Sequence, residues 1–326
     1  MTPPNFHDVK TAASRLKGHA IQTPLLRSDV IDSMFGKRIW FKSEIHQKVR
    51  AFKYRGAFNR LSNLSPQERK QGVVAFSSGN HAQGVARAAK ELGISAKIVM
   101  PSDAPNVKIA GVKRDGAEII YYDRNTQSRE DIADEIAKAD GRIILPSFDD
   151  PYIIAGQGTV GLEIANSAIS FDGLITCLGG GGLCAGISLA MKALSPHTKI
   201  FGAEPVHYND HQISLRAGKI TRLNSTPPSL CDAIMTPAPG EMTFAINKVH
   251  LEDVFTATDR DCLMAMALMK RELGVQLEPG GAVAFAALIA GALSDEKDME
   301  KICVILSGGN VDPKIAERAD RLLTPK

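Results

Sequence analysis

Short β-branched runs alternate with amphipathic stretches almost from end to end of the chain, and that alternation constrains its fold more than any other feature. Strands are expected at Val73–Ser78, Ala96–Met100, Ala117–Tyr122, Arg142–Pro146, Leu174–Leu178, Lys199–Ala203, Val254–Thr256 and Ile302–Leu306. Helical patterns fall between them, at Ala82–Leu92, Arg129–Ala139, Leu183–Leu194, Asp261–Leu273 and Ala282–Leu293. Strands that are apolar along their whole length must be covered on both faces, which selects parallel sheets between layers of helices. The expected class is therefore α/β, with open, mostly parallel, twisted sheets flanked by helices. The block 72–146 carries four of the strands with three helical stretches between them, enough for a small domain of its own. Residues 1–71 and 147–326 would then form one larger domain.

Composition enters by what it excludes. With 39 Lys+Arg against 36 Asp+Glu, the 326 residues carry a net charge of only +3, and no basic run is concentrated enough to track nucleic acid or an acidic membrane surface. Neither partner is expected. The N-terminus lacks the apolar region of a secretory signal, and no apolar stretch reaches the roughly 18 to 20 residues of a membrane span. The five cysteines (Cys177, Cys184, Cys231, Cys262, Cys303) form no Cys-x-x-Cys pair and sit mostly in apolar segments. They read as buried free thiols in a reducing compartment, so a cytoplasmic location is expected.

Open α/β sheets bind ligands beyond the carboxyl ends of their strands, and three loops at such ends stand out. In Ser77-Ser78-Gly79-Asn80-His81, hydroxyls, an amide and helix-start N–H groups could converge on an anion such as a carboxylate, although the same pattern also makes an ordinary helix cap. Next comes Gly179-Gly180-Gly181-Gly182-Leu183. Glycine costs about 1 kcal/mol relative to alanine in regular structure, so four in a row suit a backbone that must wrap closely around a group such as a phosphate. The spacing matches neither the dinucleotide fingerprint nor the P-loop. Ser307-Gly308-Gly309-Asn310 again places small and polar residues after an apolar strand. Finally, Lys53 lies between Phe52 and Tyr54. Aromatic neighbours could desolvate its amine and favour Schiff-base chemistry, against the ordinary reading of a solvated lysine.

Taken in order, Phe52-Lys53-Tyr54-Arg55-Gly56-Ala57, Ser78-Gly79-Asn80-His81, the tetraglycine loop and Ser307-Gly308-Gly309-Asn310 span nearly the whole chain. The sequence resembles the fold-type II pyridoxal-phosphate enzymes, in the group of threonine and serine dehydratases, serine racemases and 3-hydroxyaspartate ammonia-lyases. The resemblance implies a tryptophan synthase β-like fold, with 1–71 and 147–326 as the large cofactor-binding domain and 72–146 as a small mobile one. It implies Lys53 as the Schiff-base lysine and catalytic base, with Ser78 on the opposite face as a second acid/base. Gly179, Gly180, Gly181, Gly182 and Leu183 would cradle the cofactor phosphate, Asn80 would meet the phenolic oxygen, Ser307 the pyridine nitrogen, and Phe52 the ring. Ser77, Ser78, Gly79, Asn80 and His81 would hold the substrate carboxylate. The implied reaction is removal of water and then ammonia from L-threonine or L-serine by a homodimer.

Two carboxylates six residues apart, in Glu204-Pro205-Val206-His207-Tyr208-Asn209-Asp210, commonly make only a solvated face. In racemase-like members this segment binds a divalent cation, which here implies Glu204, the Tyr208 backbone carbonyl and Asp210. Oxygen ligands would select Mg2+ (or Ca2+ or Mn2+) over zinc, in a structural role. Arg129, in a helix start that Ser128 caps and Asp131 boxes, stands where racemase-like members carry an arginine able to meet a second carboxylate, so 3-hydroxyaspartate and racemisation of serine are alternative activities. Val49-Arg50-Ala51 and Cys231-Asp232-Ala233 depart from the family's usual residues. Two other classes stay open on the residues alone: a non-catalytic binding protein, which would not need Lys53, and a nucleotide-dependent oxidoreductase, whose glycine spacing is missing.

Overall fold

In the computed structural model, which describes residues 2–323, the alternation resolves into two separate sheets. The strands are β1 (Leu25–Arg27), β2 (Arg38–Ser43), β3 (Val73–Phe76), β4 (Ala96–Pro101), β5 (Glu118–Tyr122), β6 (Ile143–Ile144), β7 (Gly173–Cys177), β8 (Lys199–Pro205), β9 (Leu251–Ala257) and β10 (Lys301–Leu306). The larger sheet has the order β1-β2-β10-β7-β8-β9, all parallel except β1, which runs antiparallel to β2. A four-stranded parallel sheet, β5-β4-β3-β6, is made wholly from the segment 73–144. All eight strands expected from the sequence are present, with ends displaced by up to three residues. Val73–Ser78 shortens because Ser77 and Ser78 leave the sheet to form a loop.

Each sheet has its own core. Around the larger one, Phe41, Leu174, Ile175, Ile200, Val254, Val304 and Ile305 pack with the helices Gly182–Leu194, Asp259–Leu273 and Pro279–Ile289. Against the smaller one, Ala82, Val85, Ala86 and Ala89 of helix Asn80–Leu92 meet Val73, Ala75 and Ile98. Helix Lys53–Ser62, which begins at the candidate lysine, is pinned by a buried ion cluster: Arg55 is 1% exposed and pairs with Glu44 at 2.8 Å and Glu163 at 2.6 Å. The next residue lets a second helix come close. A Cβ on Gly56 would lie 2.6 Å from Gln157 Nε2, so only glycine allows helix Pro151–Ala165 to pack there. These contacts explain why Arg55-Gly56 follows the lysine: they seat its helix.

Among the described residues no helix is long and apolar enough to cross a membrane. All five cysteines are buried and free.

Candidate active site

The segment that delivers Lys53 has an unusual backbone. Val49 and Arg50 adopt φ of 57° and 55°, a left-handed region that a β-branched residue rarely enters. The Ser307–Asn310 segment holds them there: Gly309 N donates to Arg50 O at 2.9 Å, Asn310 Nδ2 to Val49 O at 2.8 Å, and Phe52 N to Ser307 O at 3.2 Å. Two motifs more than 250 residues apart in sequence are thus one structural unit. Arg50 is exposed and its guanidinium reaches the carbonyls of Gly309 and Gln276, so the extra cation turns away from the cavity.

Lys53 projects into a cavity whose wall includes Phe52, the 76–81 loop, Arg129, Ser147 and Phe148, the glycine loop, the 232–236 segment and Ser307. Its Nζ donates to Ser147 O at 2.7 Å and lies 5.2 Å from the Phe52 ring centre. Tyr54 points elsewhere, its hydroxyl 2.6 Å from Glu91, so of the two flanking aromatics only Phe52 borders the amine. No carboxylate lies within ion-pairing distance of Nζ among the described residues, and removal of water lowers its pKa from 10.5 to about 8. His81 is buried beside it and stays neutral: burial, then the Lys53 charge, lower its pKa to about 3.

Facing the lysine, the glycine loop leads from β7 into helix Gly182–Leu194. Gly181 has φ of 92°, and a Cβ on Gly180 would overlap the Phe148 ring. The loop's carbonyls are tied from behind, Gly180 O by Thr243 Oγ1 at 2.6 Å and Gly181 O by Asn247 Nδ2 at 3.3 Å. Carbonyls held back from the cavity favour N–H groups facing it, at the electropositive start of a 13-residue helix. This cradle suits a phosphate. The Cys177 thiol, kept protonated by burial, donates to Ser307 Oγ at 3.3 Å. Asn80 is held on both sides, accepting from Asn310 Nδ2 at 2.8 Å and donating to Glu278.

The cavity brings together Lys53, Phe52, Ser77, Ser78, Gly79, Asn80, His81, Arg129, the four glycines, Leu183 and Ser307. Arg129 sits over the Phe76 ring, 5.5 Å from its centre, and pairs with the adjacent Glu130 at 2.8 Å. Ser128 Oγ accepts from Asp131 N at 3.1 Å, but the reciprocal half of the expected capping box is not formed. Sequence reasoning missed Phe148, Met235 and Thr236 in the wall. The Thr236 hydroxyl is buried without a partner, and no local pattern marks it.

Glu204 and Asp210 lie apart from this cavity, fully buried and close together. Glu204 accepts from the backbone N–H groups of His211 and Gln212, each at 3.0 Å. Both Asp210 carboxylate oxygens lack a donor. His211, which the sequence pattern did not single out, completes the cluster with Nδ1 3.6 Å from Glu204 and 3.5 Å from Asp210. Burial alone would discharge this imidazole, but the two carboxylates reverse that and raise its pKa to about 9. The side chain of Tyr208 turns to the carbonyls of Thr226 and Pro227, which leaves only its backbone for a ligand role.

The family model for pyridoxal-phosphate dependent enzymes matches residues 16–308. The chain belongs to that family. It is 43% identical over 316 residues to an L-threo-3-hydroxyaspartate ammonia-lyase from Saccharomyces cerevisiae, covering 96% of this chain and 95% of that one. A serine racemase from Schizosaccharomyces pombe is 41% identical, with 95% of each chain covered. Among solved structures, maize serine racemase superposes with a TM-score of 0.93 at 35% identity over 98% of both chains. The two mostly parallel sheets flanked by helices are thus the fold of fold-type II pyridoxal-phosphate enzymes, as the motif order implied.

Proposed function

We propose that this enzyme is an ammonia-lyase that removes water and then ammonia from a small β-hydroxy amino acid, with Lys53 bearing the pyridoxal phosphate. The observation that carries this reading is the uncompensated Lys53 amine, desolvated and opposite a glycine cradle at a helix start. Bound there, the cofactor supplies an electron sink for the substrate α-carbon. Gly179 to Gly182 and Leu183 hold its phosphate, Asn80 its phenolic oxygen and Ser307 its ring nitrogen, with Phe52 alongside the ring. A neutral hydroxyl at Ser307 does not enforce protonation of that nitrogen as a carboxylate would, which suits elimination better than transamination. The Ser77–His81 loop binds and orients the substrate carboxylate. Lys53 takes the proton from the α-carbon as the β-hydroxyl departs with a proton as water, and Ser78 can exchange a proton on the opposite face. Hydrolysis of the resulting imine consumes that water, so the net products are a 2-oxo acid and ammonium.

L-Threonine and L-serine meet the minimum this site demands. A second reading, 3-hydroxyaspartate, is favoured by Arg129, a cation in the cavity wall able to meet a distal carboxylate. Keto-acid release from L-threonine, L-serine and both L-3-hydroxyaspartate diastereomers decides between them by the highest kcat/KM. No keto acid from any of them contradicts the proposal.

We further infer a structural divalent cation at Glu204, Asp210 and the Tyr208 carbonyl, magnesium or else calcium or manganese. The buried Asp210 carboxylate, which forms no hydrogen bond and has only the His211 ring nearby at 3.5 Å, supports it. Chelator should lower the melting temperature and magnesium restore it; a melt indifferent to both contradicts the site. The division at 72–146, with that segment moving over the cavity of a homodimer, is proposed on the separateness of its sheet. Buried free thiols support a reducing, cytoplasmic setting.

A further inference from the structure

Helix Asn106–Arg114, attached to the smaller sheet, sends one side chain across to elements packed on the larger one. Lys108 is 1% exposed, and its ammonium lies 2.6 Å from Asp232 Oδ2 and 3.1 Å from Glu278 Oε2. The stem of the lysine runs beneath the carboxylate-binding loop, where a Cβ on Gly79 would lie 3.1 Å from Lys108 Cδ. Lys108 is not part of the cavity wall, yet Glu278 connects it to a residue that is. The second oxygen of Glu278 accepts from Asn80 Nδ2, while Asn310 Nδ2 occupies Asn80 Oδ1 at 2.8 Å. A planar amide with its carbonyl and one N–H engaged has a single N–H left, and its direction is set by the other two contacts. Gly308 has to be glycine for this arrangement, because a Cβ there would collide with Glu278 Oε1.

We propose that Lys108 is a positioning residue: by holding the Glu278 carboxyl group in place as acceptor for Asn80 Nδ2, it fixes the Asn80 amide so that its remaining N–H is held for the cofactor's phenolic oxygen. The inference rests on the reading of Asn80 given above. Burial raises the Glu278 pKa on balance, and the Lys108 ammonium is the nearest cation opposing that rise. Burial also works against the Lys108 charge, but Glu278 and Asp232 more than offset it and hold the ammonium above its ordinary pKa. A neutral Glu278 would be a weaker acceptor and would carry a donor of its own, freeing the amide to turn. The contact also ties elements of the two sheets together beneath the Ser77–His81 loop.

The test uses the cofactor-loaded protein and reads the visible spectrum of the bound pyridoxal phosphate together with its dissociation constant. Asn80→Ala, Lys108→Met and Glu278→Gln should each shift the visible band in the same direction, with affinity for the cofactor falling about tenfold, as loss of a charge-assisted contact implies. Lys108→Met combined with Glu278→Gln should be no worse than either alone, because the lysine acts through the glutamate. A folded Lys108→Met protein with the parental spectrum and affinity overturns the proposal, as does simple addition of the two effects. If Lys108→Met does not fold, Glu278→Gln carries the test, and a parental spectrum for it is equally fatal. An Asn80→Ala protein whose spectrum is unchanged removes the role of Asn80 itself, and the inference with it.

Discussion

Two lysines near the Ser77–His81 loop, Lys53 in the cavity wall with it and Lys108 packed against Gly79, meet different surroundings. Lys108 sits between Asp232 and Glu278, and the two carboxylates hold it charged despite burial. Lys53 has a carbonyl, an aromatic face and a neutral histidine for neighbours, and desolvation alone brings its pKa to about 8. Burial raises the free energy of an ammonium in both places. What differs is whether an acid is supplied to offset it. Where one is, the lysine can serve as a strut; where none is, the amine is left free for the nucleophile and base role proposed for Lys53. The His81 pKa fits this contrast, since an imidazole kept neutral beside Lys53 adds no second charge to the site.

Loss of the Lys53 amine should have the largest effect. Lys53→Ala should lower keto-acid release about 1,000-fold or more, because covalent attachment and α-proton transfer are lost together. Retention of even a tenth of the activity would assign the chemistry to another group. The difference between the lysines can also be erased by supplying the missing acid. Cys177 lies in the cavity wall close enough to Lys53 for their charges to interact, so Cys177→Asp should return the Lys53 pKa towards 10.5. At neutral pH the rate of cofactor attachment to the cofactor-free protein would then drop about 100-fold, following the neutral fraction of the amine. A third cation sharpens the contrast from the side of the substrate. Arg129 lies in the cavity wall and is partly exposed, so Arg129→Ala should lower kcat/KM for 3-hydroxyaspartate about tenfold or more while leaving L-serine within about threefold. Equal losses on both substrates would reduce Arg129 to a structural residue. The smallest effect is a matter of pH. Since the amine reacts when neutral and its pKa is lowered, the rate of cofactor attachment should rise with pH up to about 8 and level off above it. A rate still climbing through pH 10 would mean that Lys53 has an ordinary lysine pKa.

The strands were legible wherever burial on both faces left an unbroken β-branched run, as in Val73–Phe76 and Ile302–Leu306. Strand β2 was not, because Arg38 and Lys42 give it the look of a surface segment. Lys42 is in fact buried and paired with Glu163, a partner 121 residues away that no local pattern announces. Helix Pro151–Ala165 escaped for the opposite reason: buried on nearly every side and rich in glycine, it shows no amphipathic period. In the site, contiguous motifs announced themselves, since Lys53, the Ser77–His81 loop and the glycines each depend on neighbours in sequence. Phe148, Thr236 and the Lys108–Glu278–Asn80 connection depend on segments that meet only through packing. Asp232 stood in a segment noted only for its departure from the family, and the structure gives it a partner in Lys108. His211 was hidden in the same way, beside two carboxylates that drew attention to themselves.

The most direct test of the contrast is to reduce the cofactor-loaded protein with borohydride and map the peptide that carries the pyridoxyl group. A single adduct on Lys53, with Lys108 unmodified, is expected. An adduct on any other lysine, or none on a protein that still releases keto acid, would contradict it.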